Sequence, residues 1–133
     1  MTTKRQPNKW KPIFITGRPG VGKTEYALGL AKDYKEVESR RFLVADIVQK
    51  PDEINKTDDL KVIIIDEVPT VASAIDIYEQ IIAMRFNQET PYPEMMVFIS
   101  NSVNERQLKQ DGVRERFYLV QIGPQYKNSN GRN

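Results

Sequence analysis

The chain has no cysteine and no histidine among its 133 residues. The first absence rules out a disulfide framework and a thiolate nucleophile, and it suits an intracellular, cytoplasmic setting. The second removes imidazole general bases and histidine-ligated metal sites. No apolar run approaches the roughly 20 residues of a membrane-spanning helix, and no secretory leader pattern is visible. No membrane partner is therefore expected. An excess of one charge is missing too. The 20 basic and 18 acidic residues leave a net charge of +2, and that balance alone does not argue for nucleic acid.

What is present fits one soluble domain, with 39% hydrophobic and 29% charged residues. Basic residues gather at the ends. Lys4, Arg5, Lys9 and Lys11 have no acidic neighbour in residues 1–11, and Lys127 and Arg132 sit among Asn, Ser and Gly. Residues 1–11 read as a flexible basic tail, 12–123 as the domain, and 124–133 as a flexible polar tail.

The chemistry starts at residues 17–24, GRPGVGKT, which fit G-x-x-x-x-G-K-[ST]. In such a phosphate-binding loop the backbone N–H groups of Gly17, Arg18, Pro19, Gly20, Val21 and Gly22 (proline aside) surround phosphate oxygens. Lys23 reaches the β- and γ-phosphates and the Thr24 hydroxyl ligates Mg²⁺. The pattern needs a strand before it and a helix after it. PIFIT (12–16) is β-prone, and Tyr26, Ala27, Leu30, Ala31 and Tyr34 recur at helical spacing.

Downstream, strand and helix signals alternate. RFLVADIV (41–48) reads as a strand and PDEINKTDDL (51–60) as a polar loop. KVIIIDE (61–67) has the continuous apolar character of a central parallel strand. Val71, Ala74, Ile75, Tyr78, Ile81, Ile82 and Phe86 mark a helical face. MMVFIS (95–100) and FYLVQI (117–122) are further strands, and the polar segment between them reads as partly helical. Five strands with alternating helices predict a doubly wound α/β sheet with ligands at the strands' carboxyl ends.

Asp66, ending the acidic strand, is placed to hold Mg²⁺ through water, and Glu67 to polarise an attacking water. Such a pair favours hydrolysis of ATP by water over transfer to a bound acceptor. NKTD (55–58) matches a guanine-reading pattern but precedes the acidic strand. It reads as a coincidence of turn formers, which leaves ATP over GTP. Asn101 follows a buried strand, where a polar side chain meets the γ-phosphate or the lytic water. Arg114 and Arg116 precede the last strand, and either is a candidate finger for transition-state charge, from a neighbouring subunit.

GRPGVGKT, VIIIDE, VFISN and the Arg114/Arg116 cluster, in this order, resemble the AAA+ ATPase core, and most of all the superfamily-three helicase domains of small viral, phage and plasmid replication proteins. The resemblance implies a three-layer P-loop fold with parallel strand order 5-1-4-3-2. It implies a ring, a hexamer, with ATP and Mg²⁺ between subunits. It also implies Lys23 and Thr24 on phosphate and metal, Asp66 and Glu67 as the acidic pair, Asn101 as sensor and Arg114 or Arg116 as finger. Single-stranded DNA and a replication protein are the implied partners. Three features depart from the family, the first being that no room is left after FYLVQI for the small helical lid, so no lid domain is expected. Residues 62–94, where a basic DNA-tracking hairpin belongs, hold one basic residue, Arg85, and a histidine-based nicking site is absent. A phage assembly or export ATPase, or a nucleotide-dependent oligomerisation module, are the alternatives on the same core. A small-molecule kinase is weaker, for want of an arginine-rich lid.

Overall fold

A computed structural model describes residues 11–109 and 113–123, the side chains of Glu105 and Arg114 excepted. Both predicted tails, apart from Lys11, lie outside the described residues. The strands are β1 (Ile13–Gly17), β2 (Ser39–Leu43), β3 (Val62–Asp66), β4 (Met95–Ser100) and β5 (Tyr118–Ile122). All pairings are parallel and the order is β2-β3-β4-β1-β5. This is the expected 5-1-4-3-2 read from the opposite edge.

The helices are α1 (Lys23–Leu30), α2 (Val44–Gln49), α3 (Val71–Gln88), α4 (Glu105–Leu108) and α5 (Val113–Arg116). Period-two alternation sends β3 side chains to opposite faces of the sheet. Ile63 and Ile65 pack with Ala74, Ile77 and Ile81 of α3, whereas Val62 and Ile64 pack with Ala27 and Ala31 from the α1 side. Every residue of β3 is buried, which explains why VIIID reads as an unbroken apolar run. Each such isoleucine contributes about 1.5–3 kcal/mol by leaving water. Phe117, just before β5, meets Phe14 and Phe98 edge to face at 5.3 and 5.8 Å, which fixes the last strand to the inner ones.

Three expectations are corrected. The stretch 41–48 is not one strand. β2 ends at Leu43, opposite Asp66, where β3 also ends and no ladder partner remains. Residues 44–49 then coil into α2, burying Val44 and Ile47 and leaving Val48 exposed. The stretch 51–60 is not irregular throughout. Pro51–Thr57 forms consecutive 3-10 turns, with Ile54 buried and the Thr57 hydroxyl donating to the Ile54 carbonyl at 2.7 Å. Phe86 is not on the buried face of α3. It is exposed, and the inward row is Ala74, Ile77, Ile81 and Arg85.

Arg85 is only 3% exposed. Its guanidinium donates to the carbonyls of Pro91 (2.6 Å), Thr57 (2.6 Å) and Leu60 (2.7 Å). Burial lowers its pKa, partly opposed by Asp58 and Asp59. The lone cation of residues 62–94 is thus a buried brace between α3 and the approach to β3.

A candidate nucleotide site at the carboxyl ends of three strands

The order β3-β4-β1 brings three chain segments to one end of the sheet. The glycine loop leaves β1, the acidic pair ends β3, and Ser100–Asn101 ends β4. Gly17 lies opposite Ile122 in the β1–β5 ladder, and a Cβ there would collide with the Ile122 carbonyl oxygen. At the helix start Gly22 has φ 96° and ψ 25°, the left-handed region that costs other residues about 1–2 kcal/mol. That conformation turns the loop into α1, whose first bond runs from Tyr26 N–H to the Gly22 carbonyl at 2.9 Å. Free N–H groups at the start of α1 and its dipole both favour an anion there.

Lys23 is 5% exposed, and its ammonium donates to the Arg18 carbonyl of the same loop at 2.6 Å. Burial lowers its pKa, and the nearby Asp66 carboxylate partly restores it. The amine therefore spans the loop where phosphate oxygens would sit. Next to it the Thr24 hydroxyl donates to Asp66 Oδ2 at 3.2 Å. Asp66 is buried, and its Oδ1 accepts the backbone N–H of Glu67 at 2.7 Å. A hydroxyl and a buried carboxylate side by side next to a phosphate loop are oxygen donors of the kind Mg²⁺ selects, so the residues fit that ion.

Glu67 has φ 57°, a left-handed conformation that is uncommon for a residue with a side chain. Strain of this kind costs roughly 1–3 kcal/mol and persists where the surroundings enforce it. Here they do. Val68 N–H donates to the Ile99 carbonyl at 2.9 Å, and the Ser100 hydroxyl donates to the Val68 carbonyl at 2.6 Å. Ser100 Oγ in turn accepts from the N–H groups of Ser102 and Val103, both at 3.1 Å. The turn carrying Glu67 is held by the end of β4.

Lys23, Thr24, Asp66, Glu67 and Asn101 line a single cleft of about 280 Å³, together with Gly20, Gly22 and Arg41. Asn101 is exposed. It also borders a neighbouring cleft of about 330 Å³ formed by Arg18, Pro19, Val103 and Gln121. The two arginines are elsewhere. Arg116 ends α5, just before the amino end of β5, and Ile122 of that strand is the residue beside Gly17. From Tyr118 to Ile122 the strand rises roughly 13 Å. Arg116 pairs with Glu79 of α3 at 3.5 Å. Arg114 lies on the same short helix, and its side chain is outside the described residues. NKTD (55–58) falls in the 3-10 turns ahead of the amino end of β3, with Lys56 on Glu53 at 2.9 Å.

Two participants escaped the sequence reading. Arg41 of β2 donates from Nε to Asp66 Oδ2 at 2.8 Å. Nothing in RRFLV marks it, because its reach depends on the β2–β3 register. Thr16 is the other. Its hydroxyl donates to the Val103 carbonyl at 2.6 Å and ties the root of the phosphate loop to the segment after β4.

No family model matches the chain, and no curated protein does. Solved structures do. AMPPCP-bound DnaA from Aquifex aeolicus is similar with a TM-score of 0.53 and 19% identity, over 91% of this chain and 42% of that one. The DnaC helicase loader is similar with a TM-score of 0.53 and 18% identity, over 88% and 81%. A Bacteroides Pif1 bound to single-stranded DNA is similar with a TM-score of 0.51 and 15% identity, over 87% and 39%. The chain thus spans less than half of the DnaA and Pif1 structures. At these identities the likeness is one of architecture: this chain has the five-stranded parallel α/β fold of P-loop ATPase domains.

Proposed function

We propose that the chain binds ATP with Mg²⁺ and hydrolyses it, as a helicase-loader-like or helicase-like ATPase of a phage, virus or mobile-element replication system. The observation that carries the proposal is the convergence of Lys23, Thr24, Asp66, Glu67 and Asn101 on one cleft from three separate strand ends. The N–H groups of residues 17–22 and the Lys23 ammonium bind the phosphates. Thr24 and Asp66 hold Mg²⁺, which supplies charge neutralisation on the phosphates. The Glu67 carboxylate orients water and takes its proton, and Asn101 donates to the γ-phosphate or to that water.

In this reading the active form is a ring, a hexamer, and Arg114 or Arg116 acts on a neighbour's nucleotide. The position of α5 at the far end of β5 supports action between subunits over action within one. The helicase-loader similarity covers most of both chains, which supports that variant over a full helicase.

A second reading on the same core is an assembly or export ATPase, or an oligomerisation module. The burial of Arg85 favours it, because residues 62–94 then offer DNA no exposed cation. ATP turnover with and without single-stranded DNA separates the two, with Lys23→Ala and Glu67→Gln as controls. Turnover stimulated by DNA and lost in both variants is expected. Turnover indifferent to DNA would overturn the replication reading and leave a protein partner as the regulator.

A further inference from the structure

Asp66 is saturated. Oδ1 accepts from the Glu67 N–H, and Oδ2 accepts from both the Thr24 hydroxyl and Arg41 Nε. A carboxylate oxygen has two lone pairs, so neither position of Oδ2 is vacant. The guanidinium bond is the shorter of the two, 2.8 Å against 3.2 Å, and charge-assisted. Arg41 is also the more exposed partner. Its side chain is 43% exposed, whereas that of Asp66 is 7% exposed. Arg41 stands on the edge strand β2 and lines the same cleft as Lys23 and Thr24. A buried carboxylate without a counter-charge is costly, and here a half-exposed arginine supplies one beside the nearby Lys23.

We propose that Arg41 serves as the resident counter-ion of Asp66, occupying the carboxylate whenever a divalent cation does not. Metal binding at Oδ2 then requires the guanidinium to leave, and the freed fork turns into the cleft toward a nucleotide phosphate. This inference rests on the nucleotide-site reading above. It has two consequences. Arg41 and the cation compete for one carboxylate, so the arginine weakens metal binding. In the absence of metal, Arg41 neutralises the repulsion between Asp66 and a triphosphate, so nucleotide still binds.

The test is the affinity of a fluorescent ATP analogue in excess EDTA and in excess Mg²⁺, for wild type, Arg41→Ala and Arg41→Lys. The wild-type protein should bind in both conditions. Arg41→Ala should raise the ratio of the two dissociation constants about tenfold, equivalent to ~1.4 kcal/mol, mainly through lost binding in EDTA. Arg41→Lys, which keeps the charge, should stay near the wild-type ratio. Mn²⁺ titration followed by electron paramagnetic resonance should show tighter metal binding in Arg41→Ala. An unchanged ratio, or an equal loss in both conditions, would overturn the proposal and make Arg41 a brace between β2 and β3. Wild-type protein that binds no nucleotide, or Lys23→Ala that binds it as well as wild type, would instead overturn the nucleotide site itself.

Discussion

The Ser100 hydroxyl donates a 2.6 Å hydrogen bond to the carbonyl of Val68, 32 residues earlier in the chain. Both residues are buried. The same oxygen receives two backbone N–H groups from the turn after β4. One hydroxyl therefore couples the turn that bears Glu67 to the segment that bears Asn101. Ser100→Ala should lower unfolding free energy by about 1–3 kcal/mol, since a buried carbonyl and two amides lose their partner. Urea denaturation checks the stability. ATP turnover should fall further than the stability loss explains, because the Glu67 turn is no longer held.

Glu67 carries backbone strain at the position proposed for the general base. Glu67→Gly relaxes the left-handed residue and should stabilise the fold by about 1 kcal/mol. It should also reduce ATP turnover by 10²-fold or more, the scale of a lost general base. Nucleotide affinity should change little. A thermal melt and a steady-state assay on one preparation test the opposed effects, and a glycine variant with intact turnover would remove Glu67 from the proposed mechanism.

At Gly17 the constraint is space. Gly17→Ala places a methyl group on the Ile122 carbonyl of the adjacent strand. Overpacking of this kind costs about 1–3 kcal/mol or more. The damage should concentrate between β1 and β5, with faster amide hydrogen exchange along 118–122 than in β3.

For Arg85 the expectation is structural, not functional. Arg85→Met keeps a long apolar stem but strands three carbonyls, and should destabilise by roughly 3 kcal/mol or more. DNA binding per folded molecule should not change, because the guanidinium is not at the surface. Electrophoretic mobility shifts normalised to the folded fraction provide the check.

Acid sensitivity has a clear contributor at the surface. Glu38 accepts the Lys35 backbone N–H at 2.9 Å and pairs with Lys61 at 3.2 Å, which together hold its carboxyl below the ordinary glutamate range. A carboxyl depressed in the folded state adds stability above its unfolded pKa and loses it as pH falls through the folded value. Glu38→Gln should thus melt below wild type at neutral pH, with the gap closing as pH drops through the acid range.

Much of the fold is legible in the chain because local pattern and tertiary role coincide there. GRPGVGKT needs glycine at Gly22 for a positive φ, and VIIID is apolar throughout because β3 is covered on both faces. Legibility fails where pairing decides. RFLVADIV has strand-forming residues to its end, yet β2 stops where β3 stops. Arg85 looks like a surface cation on a helix, and only the loop carbonyls converging on it make burial tolerable. Arg41 is invisible for the same reason: its role exists only once two strands share a register.

The position of β1 has a consequence for how the protein is made. Its neighbours in the sheet are β4 and β5, with Ile13 opposite Val97 on one side and Tyr118 on the other. β1 is thus made well before either of its partners. Until β4 has emerged, the glycine loop hangs from a strand with two open edges, while β2 and β3 already have each other. Topologies with such distant pairings fold slowly and expose sticky edges on the way. A ribosome pausing before β4 emerges would hold the nascent chain with this loop unbuilt, and a ligand of the loop could not yet help it fold.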